Sequence, residues 1–304
     1  MRRLSHGRPG PLFCLFCILI PLASPATLSA DWNPLISRLI EDRFEENAIQ
    51  ELFLRPELQF SALSMSKKID SLLRMRQRMR EAGRRTETTR VKRDYLRADV
   101  ISRARTYRLF HRSILEDLRK IYGVPGEIVV SIVLVETKLG RYMGERSVFS
   151  SLASMALSRD FDQVRSHLSQ PLRSPEDEDF ARDKCRQKAE WAYDELKALI
   201  VYARYAGLDP LAIRGSIYGA FGLCQFMPSS VLRYGVDGDG DGRIDLFSEA
   251  DALHSIANYL KGHGWKEKMD RPSQEKVIYG YNNSSIYVNT VLAVAGKLKG
   301  RIDK

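Results

Sequence analysis

Val124-Pro-Gly-Glu-Ile-Val-Val-Ser-Ile-Val-Leu-Val-Glu-Thr-Lys-Leu-Gly140 is the stretch from which the rest of the chain is best read. It predicts a helix entered through a proline. Pro125 suits the first turn, where an N–H is not needed, and Glu127 favours the same end electrostatically. Ile128, Ile132 and Glu136 are spaced by four and share one face, with Val129, Val133 and Leu139 beside it. A lone carboxylate on an apolar stripe is costly to ionise. Its pKa should rise, which makes it a candidate general acid. A helix-end glutamate that reaches solvent fits the same spacing.

The flanking sequence is mainly α. Apolar residues recur at helical spacing from Trp32 to Leu54, Ile69 to Met79 and Tyr95 to Tyr122, and again over Ala189–Ala206, Asp251–Lys261 and Ser285–Leu298. Gly207 and Pro210 stop the fourth of these. The Arg-rich run from Arg74 to Arg93 reads as a solvated helix face or an exposed link. Residues 158–186, polar and holding Glu176-Asp-Glu-Asp179, read as an inserted surface loop. Strand signals are few and there are no internal repeats.

The first thirty residues read as an export signal. Arg2, Arg3 and Arg8 precede an apolar run from Pro11 to Ala23 that is short for a membrane span, and Ala26-Thr-Leu-Ser-Ala30 offers small residues for cleavage. Removing them leaves 45 basic and 38 acidic side chains, a net charge of +7. That excess suits an anionic polymer such as a cell wall; export and the lack of any nucleic-acid-binding motif argue against nucleic acid. No stable membrane span is expected, with an uncleaved N-terminal anchor as the alternative, and the expected location is periplasmic or otherwise exported to the cell envelope. Cys185 and Cys224 remain after cleavage, and their pairing stays open. The histidines lack zinc-site spacing, and no Gly-x-Ser-x-Gly elbow is present.

Three further segments carry chemistry. In Gly215-Ser-Ile-Tyr-Gly-Ala-Phe-Gly-Leu-Cys-Gln-Phe-Met-Pro-Ser-Ser230, Gly215, Gly219 and Gly222 allow close backbone approach, and Gln225 suits a ligand rich in hydroxyls and amides. A tight interhelical turn would use the same glycines for packing. Asp237-Gly-Asp239-Gly-Asp241-Gly-Arg243-Ile-Asp245 matches a calcium loop, with Ser248 where a bidentate Glu is usual and Glu249 or Asp251 as a replacement oxygen donor. A plain Asp/Gly turn is the alternative. Tyr279-Gly-Tyr281-Asn282-Asn283-Ser284 suits sugar stacking and acetamido recognition, or a helix cap.

Taken in order, these motifs, with Ala257-Asn-Tyr259-Leu and His263-Gly-Trp265, resemble the lytic murein transglycosylases of the B type, over roughly Tyr122 to Gly296. The resemblance implies a goose-lysozyme-like, α-rich catalytic core from residue 122 to 304, preceded by a helical region over 31–121, with an EF-hand-like calcium loop. It implies that Glu136 is a single catalytic acid/base, and that Ser216, Gln225, Tyr259, Tyr281 and Asn282 line a glycan cleft. It implies that Asp237, Asp239, Asp241, Asp251 and the Arg243 carbonyl hold a structural Ca2+, with no organic cofactor. The implied activity is cleavage of the MurNAc–GlcNAc bond of peptidoglycan strands to 1,6-anhydro ends, by a monomer. A muramidase that uses water, and a wall-binding protein without catalysis, are the alternatives.

Overall fold

The computed structural model describes residues 31–82 and 89–299, so the expected export signal lies outside the described residues. The architecture is helical. The helices are α1 (Asn33–Glu41), α2 (Glu46–Leu54), α3 (Leu63–Ala82), α4 (Ala98–Phe110), α5 (Arg112–Tyr122), α6 (Gly126–Thr137), α7 (Val148–Leu157), α8 (Asp162–Arg165), α9 (Pro175–Ala206), α10 (Pro228–Tyr234), α11 (Glu249–Gly262), α12 (Arg271–Tyr281) and α13 (Ser285–Leu298). Two short strands, β1 (Arg146–Ser147) and β2 (Arg214–Gly215), pair antiparallel with Arg146 opposite Gly215.

Local chemistry sets the breaks. The pattern over Trp32–Leu54 is two helices, because Arg43 adopts a left-handed backbone (φ 70°). Glu45 then caps α2, its carboxylate accepting from the Asn47 and Ala48 N–H groups. The pattern over Tyr95–Tyr122 also divides, at His111. Gly123 closes α5 in the left-handed region that glycine occupies without strain.

Residues 158–186 require a correction. Only 158–174 is loop, interrupted by the four-residue α8; from Pro175 on, the stretch is the start of the 32-residue α9. Pro175 is compatible with a first turn, and Glu176, Asp177 and Glu178 sit where the helix dipole favours negative charge. The acidic run is therefore a helix start. Asp177 is buried and bridges to Arg80 (2.9 Å) and Arg76 (3.4 Å) of α3, and Glu178 pairs with Arg182 and Arg165. The basic stretch Arg74–Arg80 is a helix face, as expected.

The core is one continuous apolar cluster from Trp32 to Leu298. Helix α6 lies within it, packed against α4, α5, α11 and α13, while α7 packs on α9, which also meets α3 and α10. The expected one-sided stripe on α6 is thus an understatement. Every residue from Ile128 to Thr137 is buried except Glu136. A helix apolar on all sides belongs in the interior.

The chain leaves α6 through Lys138 and Leu139, both with positive φ, and reaches β1 past Gly144 (φ 94°). A Cβ at Gly144 would lie 2.2 Å from the carbonyl carbon and oxygen of Gly215. This contact joins the loop after α6 to the glycine-rich segment. Gly144→Ala is therefore expected to destabilise the protein by about 1–3 kcal/mol through combined strain and overpacking. A lowered urea midpoint with an unchanged slope is the expected result.

Candidate active site

Glu136 occupies the last turn of α6, half-buried. Loss of hydration raises its pKa to about 7; the Tyr287 hydroxyl and the Lys92 charge oppose that rise. Tyr287, on α13, faces the carboxylate, yet its buried hydroxyl meets full hydrogen-bond geometry with no group. A second tyrosine, Tyr95, donates to the Val135 carbonyl (3.2 Å), and its own pKa is raised by burial and by the Glu136 charge. Tyr281 and Cys224 also feel that charge, though burial is the larger cause of their raised pKa values. The carboxyl group is thus surrounded by phenols and a thiol. No second carboxylate among the described residues contributes to its shift.

Thr137 fixes the carrier helix to the glycine-rich segment. Its hydroxyl donates towards Val133 O (3.1 Å) and Leu223 O (3.3 Å) and accepts from the Gly140 N–H (3.0 Å). Gln225 makes the reciprocal tie. Its Nε2 donates to Met143 O and Gly222 O, each at 3.0 Å. Gln225 is also a non-glycine residue at φ 49°, a strained conformation held by this network. With both amide hydrogens used, Oε1 is the group left to accept from a ligand.

The other predicted residues are distributed as follows. Ser216 organises its own turn, Oγ accepting from the Ala220 N–H (3.1 Å) and Tyr218 N–H (3.3 Å). Tyr259 is buried, donates to Gly280 O (2.8 Å) and stacks on His263 with centroids 3.9 Å apart. Tyr281 donates to Cys224 O (2.6 Å) and its ring meets Tyr259 at 4.9 Å. Asn282 ends α12 with an exposed side chain, while Ser284 caps α13 by accepting from the Tyr287 N–H. Tyr259, Tyr281, Phe226 and Tyr287 therefore form one aromatic group running towards Glu136. Tyr95, Lys92, Thr137 and Tyr287 were not among the residues expected from sequence. An aromatic on the buried face of a helix reads as core, and nothing local marks Tyr287 otherwise.

In the acidic loop, Asp237, Asp239 and Asp251 bring one oxygen each within 4.8 Å of one another. Asp241 is outside that group; its Oδ1 accepts from the Arg243 N–H (2.8 Å). Asp251 is buried at the start of α11 and accepts from the Gly238 and Asp245 N–H groups. Burial raises its pKa, and Asp239 and Asp237 add to the rise. Cys185 and Cys224 are both buried and unpaired.

A raised carboxyl pKa has a consequence for stability. The folded state binds the Glu136 proton more tightly than the unfolded chain, so stability is complete below about 4.5 and declines as pH rises through about 7. Glu136→Gln is expected to match wild type in thermal stability near pH 4. Above pH 7.5 it is expected to exceed wild type by about 1–3 kcal/mol. Melting curves across that range are the check.

The model of the transglycosylase SLT domain matches residues 29–274. Membrane-bound lytic murein transglycosylase B of Escherichia coli is 32% identical over 240 residues, which is 77% of this chain and 58% of the relative. The chain thus spans little more than half of that relative's length. Among solved structures, soluble lytic transglycosylase SltB1 from Pseudomonas aeruginosa is 25% identical with TM-score 0.63, covering 88% of this chain and 97% of that one. An Escherichia coli lytic transglycosylase solved in complex with calcium shares the fold at 22% identity and TM-score 0.63, covering 89% of this chain and 93% of that one. With the family model covering most of its length, the chain belongs to the transglycosylase SLT domain family.

Proposed function

We propose that this protein is an exported lytic transglycosylase that cleaves the MurNAc–GlcNAc β-1,4 bond of peptidoglycan, with Glu136 as its only catalytic carboxylate. The observation that carries this reading is a desolvated Glu136, pKa raised to about 7, with no other carboxylate acting on it. The named relatives are lytic transglycosylases, which supports the reaction class. No helix among the described residues is long and apolar enough to cross a membrane.

Protonated Glu136 donates its proton to the glycosidic oxygen as the C1–O bond breaks. The carboxylate then accepts the proton of the muramyl C6 hydroxyl, whose oxygen bonds to C1. The product is a 1,6-anhydro ring, the proton is restored, and water is not consumed. A hydrolase of the paired-carboxylate kind would need a second acid within several ångströms to activate water. Tyr281 and Tyr259 shape the sugar-facing wall with their rings, since their hydroxyls are held by backbone carbonyls. Gln225 Oε1 suits a substrate hydroxyl or amide, and exposed Asn282 and the Ser216 turn border the same region.

The acidic loop fits Ca2+. Three carboxylates converge, one of them buried, and no Lys or Arg among the described residues forms an ion pair with them. Asp237, Asp239 and Asp251 would hold the ion, with Asp241 and the Arg243 carbonyl closing the shell; its contribution is structural. An ion bound only to the folded state stabilises it by mass action. Exhaustive chelation is expected to lower the melting temperature, restored by Ca2+, and a melting curve unchanged by verified ion removal would refute the site.

Digestion of purified peptidoglycan, analysed by mass spectrometry, tests the chemistry. Anhydro-muropeptides are expected from wild type, with activity falling as pH rises through about 7. Glu136→Gln is expected to lose about 10²–10⁴-fold in rate. Reducing-end products would establish hydrolysis instead, and the absence of any product would leave a wall-binding protein.

A further inference from the structure

Beside the Ser216 turn lies a second cluster that the mechanism does not use. Lys68 of α3 places its Nζ 4.5 Å from the Tyr218 ring centroid and 5.9 Å from that of Trp191 in α9. Lys188, one turn before Trp191, places its Nζ 5.4 Å from the centroid of the same Trp191 ring. All four side chains are only partly exposed. Burial lowers the pKa of both lysines first; the Lys188 charge adds to the fall at Lys68, and the Lys184 charge to that at Lys188. Neither lysine forms an ion pair among the described residues. Asp70, whose charge reaches the Tyr218 ring, is committed to the Ser169 and Gln170 N–H groups and the Ser169 hydroxyl.

Two partly desolvated cations with no ion-pair partner among the described residues are an unfavourable arrangement in isolation. Aromatic faces offset part of that cost by cation–π attraction but bring no neutralising charge. A ligand that carries a carboxylate beside a ring with apolar faces would satisfy both features at once. We infer that Lys68, Lys188, Trp191 and Tyr218 form an outer subsite that stacks a sugar of the murein strand and holds a carboxylate of its peptide stem. This rests on the proposed action on peptidoglycan. It adds that the enzyme distinguishes peptide-bearing strands from bare ones. Tyr218 lies two residues beyond Ser216, in the turn that Ser216 closes, so the subsite continues the wall next to the glycan.

Tryptophan fluorescence provides the readout, because Trp32 and Trp265 are buried at 9% and 4% exposure whereas Trp191 is partly open. The full chain carrying Glu136→Gln is titrated with a GlcNAc–MurNAc-tetrapeptide and, separately, with chitotetraose, which has no carboxylate. The tetrapeptide ligand is expected to quench the emission. Adding Lys68→Met and Lys188→Met is expected to weaken its binding about tenfold or more, with chitotetraose binding unchanged. The paired Lys68→Arg and Lys188→Arg replacement is expected to restore affinity, which separates lost charge from lost folding. Equal affinity in the methionine variant and its parent overturns the subsite while leaving the enzyme assignment intact. Failure of the parent to bind any murein fragment overturns both.

Discussion

The cost of ionising Glu136 governs the design of this molecule. Helix α6 is enclosed by α4, α5, α11 and α13, so its last turn cannot be hydrated as a surface helix end would be. The carboxyl group also sits at the helix C-terminus, where backbone carbonyls oppose a negative charge. Both effects favour the protonated acid. Neutral phenols and a thiol around it keep the environment poorly ionic, and the Tyr287 hydroxyl and then the Lys92 charge moderate the shift. An arrangement of this kind gives up stability at neutral pH in return for a group able to give and retake a proton.

The surrounding structure fixes the end of α6 that carries that carboxyl group. Thr137 and Gln225 lock the end of α6 to the glycine-rich segment from both sides, and glycine is required where Gly144 passes Gly215. Tyr259 and Tyr281 have their hydroxyls fixed on backbone carbonyls. They therefore contribute shape and ring faces, with little rotational freedom left to lose on binding.

Much of this was legible in the sequence. Helix α6, its lone acid and the Asp-Gly loop follow from spacing alone, because their chemistry is local. What could not be read depends on distant chain segments. Tyr287 and Tyr95 reach Glu136 only because α13 and the segment before α4 close over α6. The stretch 158–186 misled because its acids look like solvated loop, whereas the Arg76 and Arg80 side chains that bury Asp177 lie about a hundred residues away. Asp241 lies outside the three converging carboxylates, its Oδ1 accepting from the Arg243 N–H two residues on.

The two cysteines carry a practical consequence. Cys185 lies within α9 and Cys224 in the glycine-rich segment, where it feels the Glu136 charge, and burial pushes both thiols up to about 12. Since the thiolate is the reactive form, neither can be alkylated or oxidised at an appreciable rate while the core is closed. Labelling of each thiol becomes a clock for opening at its own location, one in the long helix and one in the glycine-rich segment.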